Sequence, residues 1–124
     1  MSVLIAAPPE SRAHHLTQAL GEAGLEIHQA MNERQARTAL LTRSFGAVLL
    51  DLDLAGGGAL GLADLIAIRH PGVPVIPFAD RSTDWQPALF DILPNARFPA
   101  TGDMPFGDVA QSVLHAARRP LRAG

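Results

Sequence analysis

The stretch Ala47–Leu62 reads AVLLDLDLAGGGALGL, and how it is read decides the fold. It opens as a continuous apolar run, as a strand covered on both faces requires. The run ends on Asp51, and Gly56, Gly58 and Gly61 then spell G-x-G-x-x-G. That spacing cradles a dinucleotide pyrophosphate when the first glycine leaves the strand directly and a helix N-terminus meets the phosphate. Here Leu52–Ala55 intervene, and the strand is the third apolar run of the chain rather than the first. Asp80 stands about where a ribose contact would, so a nucleotide-binding α/β domain is one reading. The other is a carboxylate at a buried strand end, with Gly56-Gly57-Gly58 as a mobile loop and no phosphate cradle.

Outward from this stretch the elements alternate. SVLIAA, closed by Pro8-Pro9, reads as a buried strand. PESRAHHLTQALGEAG sets Ala13, Leu16, Leu20 and Ala23 on one helical face, and Gly24 follows as a stop. LEIHQA alternates like a strand. Asn32 can cap ERQARTALLTR, a helix that gathers Ala36, Ala39 and Leu40. LGLADLIAIRH is helical and stops at Pro71-Gly72. VPVIPFA is a strand containing Pro77. A short helix is expected over PALFDIL, starting near Gln86 because Pro87 suits a first turn. ARFP reads as a brief fifth strand, with Pro99 acceptable at an edge. The last helix, PFGDVAQSVLHAARR, aligns Phe106, Val109, Ala110, Val113, Leu114 and Ala117. Five β-α repeats of this length predict a doubly wound α/β domain with a five-stranded parallel sheet. Function in such sheets gathers beyond the carboxyl ends of the strands.

Composition narrows the function classes. One domain is expected from 124 residues, over residues 1–119, with 120–124 as a tail or the start of a linker. The formal charge is −2 and the basic residues are dispersed, which gives no footprint for nucleic acid. There is no Cys, so thiolate chemistry and cysteine metal sites are excluded. The apolar run of MSVLIAAPPE is too short for a signal peptide or a membrane span, so a cytoplasmic setting is expected. All ten basic residues are Arg, so a Walker loop, which needs Lys, is excluded.

The chain resembles the receiver domains of bacterial response regulators over nearly its whole length. The stretch AVLLDLDLAGGGALGL carries most of the likeness, with PVIPFAD as the fourth strand and ARFP as the fifth. The resemblance implies a flavodoxin-like (βα)5 fold with strand order 2-1-3-4-5. It implies that Asp51 occupies the phospho-acceptor position, with Leu54 in the apolar position after it and Ala55 where proline is usual. Phe98 stands at the switch aromatic position. Receivers take a phosphoryl group from a phosphohistidine, and the protein contributes positioning and charge neutralisation. This chain departs from that chemistry. Ala7 and Pro8 stand where acidic residues hold Mg²⁺. Ala79 stands where a Ser or Thr binds the phosphoryl oxygen. The lysine that follows the fifth strand has no counterpart at Thr101, Gly102 or Met104, and the chain has no Lys at all.

The expectation is therefore an atypical receiver and not an enzyme. Its phosphorylation is expected to be weakened or absent, no cofactor is expected, and Mg²⁺ binding should be weak or absent. It would act on a histidine kinase, a phosphotransfer protein or an effector. The alternatives are a conventional phospho-acceptor at Asp51 and the nucleotide-binding domain. Glu10 and Asp53 are the carboxylates that could supplement a weak metal site. His14 and His15, on the first helix, are read as a solvated face. The resemblance also implies output, and a possible homodimer, through the fourth helix, fifth strand and last helix, with Trp85 as the candidate anchor. No membrane or direct nucleic-acid contact is expected.

Overall fold

Alternation along the strands sorts the apolar residues into two layers. In the computed structural model, residues 2–54, 58–79, 100–101 and 106–118 are described. They form β1 (Ser2–Ala6), a 3₁₀ turn at Arg12–His15, α1 (Leu16–Glu22), β2 (Glu26–Ala30), α2 (Glu33–Thr42) and β3 (Ala47–Asp51). Then come α3 (Gly58–Arg69), β4 (Val75–Ala79), β5 (Ala100–Thr101) and the last helix, α4 (Phe106–Arg118). The sheet is parallel with order β2-β1-β3-β4-β5, as the resemblance implies.

The two faces of the sheet are both covered. On one side Leu4, Ala6, Val48, Leu50 and Val75 pack against Ala36, Ala39 and Leu40 of α2 and Leu62, Ala63 and Ile66 of α3. On the other, Val3, Ile5, Leu49, Ile76 and Phe78 meet Leu16 and Leu20 of α1 and Val109 and Val113 of α4. This is why β1 and β3 read as unbroken apolar runs: odd and even residues face different helix layers.

Local signals behave as their chemistry dictates. Asn32 has φ −154° and accepts a hydrogen bond from Gln35 N at 2.8 Å, while the Gln35 side chain accepts from Met31 N at 2.8 Å. The exchange satisfies two donors at the head of α2. α1 ends with Gly24 at φ +92°, Leu25 N donating to Leu20 O and Gly24 N to Gly21 O. These paired bonds require a left-handed residue, and a side chain at Gly24 would be strained there.

Several expectations need correction. The first helix opens as a 3₁₀ turn, and Ala23 is exposed because the chain is already leaving α1 there. Ala116, absent from the expected stripe, is buried in the last helix, whereas Ala110 and Leu114 are only half-buried. The described part of the fifth strand is Ala100–Thr101, so Thr101 lies within the strand and not after it, while ARFP (96–99) lies outside the described residues. Val48 N bonds Pro74 O and Leu52 N bonds Phe78 O, so even-numbered residues of β4 face β3. Pro77 therefore faces the β5 side, and its missing N–H falls just before the two-residue pairing of Phe78 and Ala79 with β5. The helix expected over 87–93, together with Asp80, Trp85, Phe98 and residues 102–105, lies outside the described residues.

Candidate functional site

β3 delivers Asp51 to the carboxyl end of the sheet, and alternation decides its side. Ala47 and Leu49 face α1, so Asp51 does too. The register then fixes its neighbours. Ala6 pairs with Leu50, which places Ala7 beside Asp51 on one flank, and Phe78 pairs with Asp51 on the other. Both flanking residues are buried in the apolar layer on the α1 side. Asp51 itself is 0% exposed.

The carboxylate is held by donors from two loops. The Ser11 hydroxyl donates to Asp51 Oδ2 at 2.5 Å, and the backbone N–H of Asp53 donates to Asp51 Oδ1 at 2.8 Å. Ser11 is 3% exposed. Its oxygen also accepts from Ala13 N at 3.1 Å, so it caps the 3₁₀ turn while it donates to Asp51. One hydroxyl hydrogen and two lone pairs suffice for both roles. Leu54 N closes a turn onto Asp51 O at 3.2 Å, and the Leu54 side chain is buried.

Among the described residues, those around Asp51 do not fit a Mg²⁺ ion. Ala7 presents only a methyl group, Pro8 offers neither side-chain oxygen nor N–H, and Ser11 occupies Oδ2. Glu10 and Asp53 are exposed while Asp51 is buried. Among the described residues no group of three His, Asp or Glu could hold a metal ion. Ala79 closes β4 and pairs with Thr101, so these two positions meet across β4 and β5.

The glycine reading also finds its geometry. Gly58 and Gly61 lie inside α3 rather than in a turn leaving β3. A Cβ at Gly61 would meet only Arg37 Nη2, at 3.8 Å, which is ordinary contact. The close helix–strand approach that makes the third glycine of a dinucleotide fingerprint necessary is not needed here.

His14 departs from the solvated face expected of it. Its Nε2 donates to Ala7 O at 2.9 Å, because a carbonyl can only accept. Its Nδ1 lies 3.2 Å from Gln29 Nε2, which also donates to Thr17 Oγ1 at 2.8 Å. His14 thus braces the segment that carries Ala7 and Ser11. Ser11 is the residue that sequence reasoning missed. A Ser ahead of a helix signals a cap, but nothing local signals its bond to a carboxylate forty positions away.

The structure resembles solved receiver domains. A two-component response regulator from Clostridium difficile superposes with a TM-score of 0.80 at 16% identity, covering 96% of this chain and 97% of that one. A CheY-like receiver domain protein from Methanospirillum hungatei JF-1 gives 0.80 at 15%, covering 94% and 93%. A Thermotoga maritima response regulator solved in complex with Mg²⁺ and beryllofluoride gives 0.76 at 19%, covering 93% and 97%. No family model and no curated protein matches the sequence. The chain has the fold of a response regulator receiver domain.

Proposed function

We propose that this chain is an atypical receiver of a two-component or phosphorelay system, acting by protein–protein contact with phosphoryl transfer to Asp51 weakened or absent. One observation carries the reading: the carboxylate in the acceptor position is fully buried, with its Oδ2 engaged by Ser11 and with Ala7 and Phe78 flanking it. Transfer to a carboxylate depends on charge neutralisation around the incoming phosphoryl group. Here the flanking groups are a methyl and a phenyl ring, and no lysine exists in the chain. The partners that fit are a histidine kinase, a phosphotransfer protein or an effector, and a homodimer would use the surface that includes β5 and α4. The module acts as a switchless adaptor rather than an enzyme. Among the described residues no helix is long and apolar enough to cross a membrane.

The conventional reading rests on one specific feature, the position of Asp51 at the end of the central β3. The two readings part in a titration. We expect Mg²⁺ at millimolar concentration, with or without beryllofluoride, to leave the amide resonances of Leu50–Leu54 unmoved. We also expect acetyl phosphate to add no phosphoryl mass to the protein. Saturable shifts centred on Asp51, or a mass increase lost in Asp51→Asn, would establish the conventional acceptor and overturn the proposal.

A further inference from the structure

The far edge of the sheet carries a second feature, independent of Asp51. β2 is the outer strand. Ala7 N bonds Ala30 O, so the even-numbered residues of β2 direct their backbone groups to β1. Ile27 and Gln29 therefore aim both N–H and C=O away from the sheet. Beside this edge, on the α2 side, lies an open groove of ≈ 430 Å³. His28, Arg34, Gln35, Thr38, Thr42 and Arg43 are among its lining residues, and no carboxylate lines it. Arg34 and Arg43 are exposed, and among the described residues neither forms an ion pair. Arg37, by contrast, pairs with Glu33 at 2.6 Å, outside the groove. A chain of net charge −2 thus keeps two uncommitted cations beside an open strand edge.

We propose that this edge docks an extended acidic peptide segment, which adds as an outer strand beside β2 and sets two carboxylates on Arg34 and Arg43. The spacing is specific. Arg34 stands in the first turn of α2 and Arg43 is its extended C-cap, so roughly the length of the helix, about 13 Å at the helical rise, separates two arginines that both line the groove. Four residues of extended chain also cover about 13 Å, and residues four apart share a face. The segment therefore carries acidic side chains at i and i+4. Main-chain bonds to Ile27 and Gln29 supply affinity, and the arginines supply selectivity. The edge presents donors and acceptors together, which a peptide backbone matches and a phosphodiester backbone, lacking donors, does not. A second copy of β2 fits poorly, because the residue four beyond Glu26 is Ala30 and each copy brings the same arginines.

The test uses the intact chain and a capped peptide with glutamates four residues apart in an alternating Val/Thr background. We expect saturable amide shifts at Ile27, Gln29 and along α2. The double variant Arg34→Glu/Arg43→Glu, both at exposed positions, should weaken binding about tenfold or more, one to two charge-assisted contacts' worth. The lysine version of the peptide should bind that variant and not the parent. Methylating the peptide's backbone nitrogens along one edge should abolish binding. Equal binding by the charge-reversed protein would overturn the proposal. So would equal binding of the methylated peptide, which reduces the contact to charge alone. Sedimentation as a dimer that the peptide does not dissociate would show that a second copy holds the edge, and would overturn it too.

Discussion

Ser11→Ala should destabilise the domain by about 2–4 kcal/mol, more than a surface serine warrants. Two losses add. The 3₁₀ turn loses its cap, worth about 1 kcal/mol. The buried Asp51 carboxylate loses a charge-assisted donor, worth about 1.5–3 kcal/mol. Asp51→Ala should cost less, about 1–3 kcal/mol, because it removes the group whose burial was expensive, although the Ser11 O–H and the Asp53 N–H both lose their acceptor. The double variant should therefore be more stable than the sum of the two singles, by about 1 kcal/mol or more for residues in direct contact. Urea unfolding of all four proteins gives the cycle. Strict additivity would show that the Ser11–Asp51 bond contributes nothing, and that Asp51 is held by its other contacts alone.

Phe78→Ala should produce the largest single loss, about 3–5 kcal/mol. Phe78 is 1% exposed and sits in the layer between the sheet and helices α1 and α4. A domain of this size is stable by only about 5–15 kcal/mol, so the variant stands near the limit of folding. Phe78→Leu keeps most of the volume and should cost about 1 kcal/mol. Because Phe78 pairs with Asp51 and its carbonyl accepts from Leu52 N at 2.9 Å, the damage should reach the loop that follows β3. Amide exchange at Leu52 and Asp53 should quicken in Phe78→Ala beyond the global change in stability. Exchange there that follows global unfolding alone would mean that the loop stands independently of the β4 core.

The parts legible from sequence were those written in local chemistry. Apolar runs gave the strands because both faces of the sheet are covered. Asn32 and Gly24 marked helix ends because a side-chain acceptor and a left-handed φ are demands of single residues. Asp51 was placed at the close of the third strand because the apolar run ends on it. The parts that escaped depend on distant partners. Thr101 looked like a residue after the fifth strand, but it pairs with Ala79 inside it, because register is set by β4 and not by local sequence. His14 looked like a surface residue until the fold brought Ala7 O and Gln29 to it. Ser11 was legible as a cap and silent as a ligand of Asp51, since only the crossing of β1 and β3 brings the two together.

Strand order also governs how the molecule assembles as it is made. β1 lies between β2 and β3, and both ladders are encoded by residue 51. Synthesis runs from the N-terminus, so the ribosome delivers three strands and the helices α1 and α2 before any residue of β4 exists. The apolar side that α3 later covers and the β4 edge of β3 stay open in that interval. The early half is thus a cohesive but sticky unit, and later strands extend a template already laid down. In refolding, we expect amides of β1 and β3 to gain protection from pulse-labelled exchange before those of α4. Simultaneous protection of all elements would point instead to a single concerted collapse.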